Sequence, residues 1–420
     1  MGGHLTIDPI TRLEGHGKIE IFLDDDGNVD RAMRIADVST IACSYGTDRE
    51  KMSFLFVKVT ADDGTVGWGE ACDSYGCSYA TVVAAAVDDV FAPLLIGEEL
   101  DTVDPLSERL RLFTRRRLGE QWVGAQARSA VEIAMWDLVG RHRRRSVSGL
   151  IGRLRDRVEV YASSAFLEEG PAEHHAAILA PLLERGVRMV KVRTGPDWRQ
   201  DLATLRDLRG LLGDDIELMV DASETYTLPT ARDLASALAD LDVRWIEEPL
   251  PQGERAGIEA LVAHSPVPVA YGEHLYGLHD AIDAMRRRQL DVLQPDAAVA
   301  GGISEAKRMS EAAAAFGVRV VPHICAGPIA LAANLHLAAT VPAIRTVEYP
   351  PTLLAVWEAF GTGAALGLDA IVDGTSAIPD SPGLGVGRDE QRVAAHPYEP
   401  PGARVSGTTT GLPDRFVGDR

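Results

Sequence analysis

The 420-residue sequence predicts an α/β protein: a barrel of eight parallel strands alternating with helices, preceded by a smaller α+β domain. Three observations carry that prediction. The first is a series of apolar stretches closed by polar residues: IELMVDA (216–222), VRWIEEP (243–249), VPVAYGEH (267–274), LQPD (293–296) and RVVPH (319–323). Their closing residues Asp221, Glu247, Glu273, Asp296 and His323 lie 26, 26, 23 and 27 positions apart, by subtraction of their numbers. A strand, a loop and a returning helix need about that length. The second observation is the strand count. VEVYASS (158–164), VRMVKVR with Lys191 and Arg193, and RTVEYP with Glu348 bring it to eight, the number that closes a parallel barrel. The third is that strand patterns precede helix patterns over residues 33–156 instead of alternating with them, the mark of an α+β unit.

Taken in order, residues 1–32 read as an N-terminal extension in which KIEIFL, DDDGN and VDRAMRI alternate like a hairpin. MRIADVSTIAC and MSFLFVKVTADDGTVGWGEA follow as strands, with a tight turn at Asp63–Gly64. YATVVAAAVDDVFAPLLIG and AQARSAVEIAMWDLVGR then repeat apolar residues three and four apart, as helices do. GLIGRLRDR (149–157) is the passage into the barrel, expected over 157–350. Within it DLATLRDLRGLLG, PTARDLASALADL and ISEAKRMSEAAAAFG are helices, and two of these end on Gly, as connections back to a strand prefer. Residues 351–390 return to the first domain, and 391–420 form a polar, loosely held tail.

Composition excludes several roles. A net charge of −20 argues against nucleic acid or an anionic membrane as partner. The basic clusters at 115–117 and 141–145 read as solvated helix faces or a contact in a homo-oligomer. Four cysteines, irregularly spaced, suit reduced thiols in the cytoplasm rather than a disulfide framework. No apolar run reaches membrane-spanning length, and no signal peptide precedes the first strand.

Polar residues at the C-terminal strand ends of such a barrel gather in one mouth. Asp221, Glu247 and Glu273 there would repel one another, and a hard cation such as Mg²⁺ removes that cost. Equal spacing to both neighbours favours Glu247 over Glu248 as the inward acid. Asp296 bonded to one nitrogen of His323 would fix the tautomer and make the other nitrogen a base. Lys191 and Arg193, two apart on one strand, leave it on one face. Capping of the following helices by each acid is the bland alternative, and three such coincidences at near-equal spacing argue against it.

The Lys-x-Arg, Asp, Ile-Glu-Glu-Pro, Gly-Glu, Asp and His stations, with TVGWGEA, AMWDLVGR and PDSPGLGVG, resemble the mandelate racemase subgroup of the enolase superfamily. The resemblance implies a (β/α)7β TIM-type barrel under a capping domain built from both chain ends. It implies Mg²⁺ on Asp221, Glu247 and Glu273, completed by a substrate carboxylate. His323 with Asp296 would then take an α-proton, while Lys191 and a protonated Glu348 stabilise the enediolate. Where racemases of the family carry a second lysine stands Arg193, a poor base, so dehydration of a sugar acid to a 2-keto-3-deoxy acid is preferred. Arg193, Ser223 and His274 are the expected substrate contacts. A racemase, epimerase or cycloisomerase, and a non-catalytic acid-sugar binder, are the alternatives. Residues 1–32 separately resemble the start of nickel–iron hydrogenase large subunits, whose CxxC metal ligands are missing here.

Overall fold

The computed structural model describes residues 33–47, 50–73, 75–363 and 366–400. The extension at 1–32 lies outside them, and with it all of the expected hairpin except its last three residues, Met33–Ile35. Strands β1 (Met33–Thr47), β2 (Glu50–Ala61) and β3 (Val66–Ala71) form an antiparallel meander, with β4 (Glu99–Leu100) beyond β1. The turn between β2 and β3 is the expected Asp63–Gly64 turn, where Asp63 Oδ1 accepts the Thr65 amide at 2.8 Å. The helix Val123–His142 lies across this sheet and is buried on every side from Gly124 to Gly140. That explains its lack of a polar face. Gly67 and Gly69 make the approach possible: a Cβ on either would stand 2.2 and 1.7 Å from backbone carbonyls of that helix.

The barrel follows. Strands β5 (Arg157–Phe166), β6 (Met189–Arg193), β7 (Glu217–Asp221), β8 (Val243–Glu247), β9 (Val269–Tyr271), β10 (Val292–Leu293) and β11 (Arg319–Val320) pair in parallel in sequence order. The eighth strand, β12 (Thr346–Tyr349), pairs with β5. A bridge between Val320 and Ile344 and the bond from Glu348 N to Pro322 O (3.3 Å) close the ring. Seven α-helices lie between the eight strands, so the architecture is (β/α)7β under an α+β cap. Tyr161, Met189, Met219, Trp245, Ala270, Val292 and Val321 fill the lumen as a separate apolar layer. With side chains alternating along each strand, the next inward positions are Lys191, Asp221 and Glu247. Apolar period two thus delivers charged groups onto an apolar floor.

The chain end runs back over the barrel and then the cap. Thr375–Ala377 pairs antiparallel with β5, and Gly383 O then accepts the Val147 amide. From residue 391, where a tail was expected, the short helix Glu390–Ala394 continues and a bridge from Pro397 to Cys43 ties the chain to β1. The reason is local: Asp389 caps that helix by accepting the Gln391 and Arg392 amides.

Two buried carboxylates of the cap dock it on the barrel. Glu70 accepts the amides of Gly327 (2.6 Å), Ile329 (3.1 Å) and Ala330 (3.0 Å), at the start of the helix Pro328–Thr340. Glu132 accepts those of Ile303 (2.8 Å) and Ser304 (3.0 Å), at the start of the helix Ile303–Phe316. Each supplies an anion where amides and helix dipole want one.

His336 ties the same region together. Its Nδ1 accepts the Ser148 amide and its Nε2 donates to Leu384 O, both at 3.1 Å, so the neutral ring uses both nitrogens. Burial pushes it down from 6.5 to about 4. The unfolded chain therefore takes a proton below pH 6.5 that the folded chain refuses until about pH 4. Stability from this group is complete above pH 6.5 and is lost as pH falls through that window, by about 3 kcal/mol. Urea titrations of His336→Gln should show a flatter slope than wild type between those pH values; identical slopes would refute the assignment.

Candidate active site

The expected residues converge at the C-terminal face of the barrel. Lys191, fully buried, bonds Glu247 and stands 3.1 Å from Glu348 Oε1 and 3.6 Å from Asp221 Oδ2. Arg193 Nε lies 3.3 Å from Asp221 Oδ2. His323 Nδ1 is 3.0 Å from Asp296 Oδ2, and its Nε2 is 3.6 Å from Glu273 Oε2. Asp296 is held in turn by Asn334 Nδ2 (2.9 Å) and the Ala298 amide (2.8 Å). These contacts form two neighbouring groups, Asp221, Glu247 and Glu348 around Lys191 and Arg193, and Glu273 and Asp296 around His323, which influence each other electrostatically.

Its electrostatics are lopsided. Asp221, Glu247, Glu273 and Glu348 are all buried, against two permanent cations, Lys191 and Arg193. Burial, reinforced by the neighbouring acids and only partly offset by Lys191, pushes Glu247 up to about 7. Burial and the Glu248 charge push Glu273 likewise to about 7. Lys191 is held firmly protonated, since the surrounding carboxylates overcome its desolvation. Burial would lower His323, but Glu273 and Asp296 outweigh it and raise it to about 9. A protonated imidazole is no base, and the leading source of that shift is an acid expected to face a cation.

The donor set fits Mg²⁺. Asp221, Glu247 and Glu273 offer hard oxygens from three adjacent strands, and burial and like charge raise Glu247 and Glu273, a cost that a cation would remove. Their oxygens are drawn apart, however, Glu247 toward Lys191 and Glu273 toward His323. Among the described residues, the three ligand atoms lying within 4.8 Å of one another belong to Glu224, Glu248 and His274. Glu248 and His274 form an ion pair at 3.2 Å, which holds His274 protonated up to about 10 against the effect of burial.

Two expectations need correction. The surroundings of Glu348 favour the anion over the protonated donor. Burial would raise it, but Lys191, His323, Arg193 and the Ile324 amide together bring it down to about 2. Ser223 spends its amide (2.9 Å) and hydroxyl (3.1 Å) on Asp221 Oδ1, which makes it an orienting group for that acid. Sequence reading also missed Gln294 and Trp245, whose side chains donate to Glu247 Oε2 at 2.5 and 3.2 Å. Trp245 sits two positions before Glu247 on the same face, a signal that was available. Asn334 was visible too, as a lone amide in the apolar run PIALAANLHLAAT.

The sequence and the fold both match known proteins. Residues 175–392 match the family described as enolase C-terminal domain-like, and 31–152 match the mandelate racemase / muconate lactonizing enzyme N-terminal domain. The chain belongs to the mandelate racemase subgroup of the enolase superfamily. This member is 30% identical to a D-galactarolactone cycloisomerase of Agrobacterium fabrum, over 80% of this chain and 89% of that protein. It is 29% identical to an arabinonate dehydratase of Saccharolobus solfataricus, over 70% and 79% of the two chains. The crystal structure of an L-talarate dehydratase from Polaromonas, in complex with Mg and L-glucarate, superposes with a TM-score of 0.76. That protein is 29% identical, and the match covers 88% of this chain and 98% of that one. A separate match described as HoxL-like covers residues 4–34, the hydrogenase-like segment, nearly all outside the described residues. Among the described residues no helix is long and apolar enough to cross a membrane.

Proposed function

We propose that this family member is a Mg²⁺-dependent hydro-lyase that converts a sugar acid into its 2-keto-3-deoxy acid. The observation that carries the reading is the one-sided placement of proton-transfer groups: His323 backed by Asp296 on one flank, and Arg193 beside Lys191 on the other. Arginine does not give up its proton, so a base stands on one side only, which suits loss of water and not racemisation. Dehydratases among the relatives support it.

Asp221, Glu247 and Glu273 would hold Mg²⁺, which when bound supplies positive charge for the substrate carboxylate as α-carbon electrons move onto it. Lys191 donates to the same carboxylate and stays charged throughout. Asp296 holds Nδ1 of His323, leaving Nε2 to take the α-proton. The same proton then leaves with the β-hydroxyl as water, and the enol that remains ketonises. Glu348 keeps Lys191 in place as an anion.

A panel of mono- and diacid sugars, incubated with protein and Mg²⁺, should release a keto acid that semicarbazide traps. EDTA should abolish the signal and Mg²⁺ restore it. Exchange of the α-proton with solvent deuterium while the hydroxyl count stays constant would overturn the proposal in favour of a racemase. The similarity to a cycloisomerase gives a second reading, in which a lactone or anhydro sugar is consumed and no water is lost from an open-chain acid.

A further inference from the structure

A cavity of about 340 Å³ lies away from this cluster, in the seam between cap and barrel. Gly119–Gln121, Arg111 and Arg128 border it from the cap, and residues 276–280 and Glu305 from the barrel. Two buried polar groups on its wall lack hydrogen-bond partners. Arg128 is 3% exposed, and neither its Nε nor its Nη1 bonds to anything. Tyr276 is 7% exposed, and its hydroxyl has no partner. A guanidinium with unmade bonds in a dry place is costly, and a bidentate carboxylate is its natural complement.

The acids around the cavity are already engaged. Glu305 accepts the Leu278 amide at 2.8 Å and pairs with Arg308 at 2.6 Å, standing 4.0 Å from Arg128 Nη1. Glu120 is 3.5 Å from Arg111, and Asp280 accepts from Gln121 Nε2 at 3.5 Å and the Tyr276 amide at 3.4 Å. They leave Arg128 unsatisfied while offering lone pairs to hydroxyl donors. The space far exceeds what an inorganic oxyanion fills.

We infer that this seam is a second binding site, for a polyhydroxy carboxylate whose carboxylate meets Arg128 and Tyr276 and whose hydroxyls meet Glu120, Gln121 and Asp280. The site stands whatever the reaction at the mouth. Trp122 reports on it: its ring packs 5.6 Å from Tyr276 and 5.4 Å from His274, the residue after Glu273. Its backbone holds φ at 50°, an uncommon state for a bulky residue. Occupancy of the seam is thereby felt beside the metal-facing acids.

D-Gluconate and inorganic phosphate serve as probes, followed by calorimetry and tryptophan emission with Mg²⁺ present and after EDTA. Gluconate should bind in both conditions and change emission in wild type but not in Trp122→Phe. Tyr276→Phe should weaken the metal-independent binding about five-fold. Arg128→Gln should weaken it about 100-fold. If Arg128→Gln does not fold, Tyr276→Phe and Gln121→Ala decide. Binding seen only with Mg²⁺, binding indifferent to these substitutions, or phosphate binding as tightly as gluconate would each overturn the assignment.

Discussion

Replacing His323 by asparagine should lower the rate of keto-acid formation by about 10³- to 10⁴-fold, the upper part of the range for a positioned general base. The amide of asparagine can still donate to Asp296, so the fold and the acid cluster should survive. Mg²⁺ binding by calorimetry should therefore change little. Exchange of the substrate α-proton should vanish with turnover, because the same nitrogen performs both. A variant within ten-fold of wild type would remove His323 from the chemistry. Asp296→Asn should cost less rate, since it leaves the base present but poorly aimed and no longer offset by a negative charge.

Lys191→Met should have the next largest effect, and on two observables at once. Lys191 is fully buried against Glu247, Glu348 and Asp221. Methionine matches its volume but leaves those acids without their cation. Removing one partner of a buried ion pair costs about 3–5 kcal/mol, so the metal-free variant should melt well below wild type. Mg²⁺ should restore much of that loss, since its positive charge replaces the missing one. Activity should stay down by about 10²- to 10³-fold even with saturating Mg²⁺, because the donor to the substrate carboxylate is gone. Full recovery of activity with Mg²⁺ would show that Lys191 has no part beyond neutralising the acids.

How much of this was readable beforehand depends on where the partner of each residue sits. Asp221, Glu247, Glu273, Asp296 and His323 were legible because each closes an apolar run at a regular interval, and strand geometry turns interval into proximity. Glu247 was separable from Glu248 by spacing alone, and it is the one that meets Lys191. Glu70 and Glu132 were not legible. Each sits in an ordinary strand or helix pattern, and their partners are amides 171–260 positions away, which no local period reports. The charge state of Glu348 was unreadable for a related reason. It is set by the sum of Lys191 and Arg193 on one strand and His323 after another, against the cost of burial.

The same two cap acids limit how the protein can be recombined. The amides they hold begin at Ile303, seven positions after Asp296, and at Gly327, four after His323. A graft that replaced residues 33–152 with the matching unit of a relative would strip two helix starts of their counter-anion unless the donor brought an acid to both places. The proton-transfer pair would then sit on loosened ground although not one residue of the barrel had been altered.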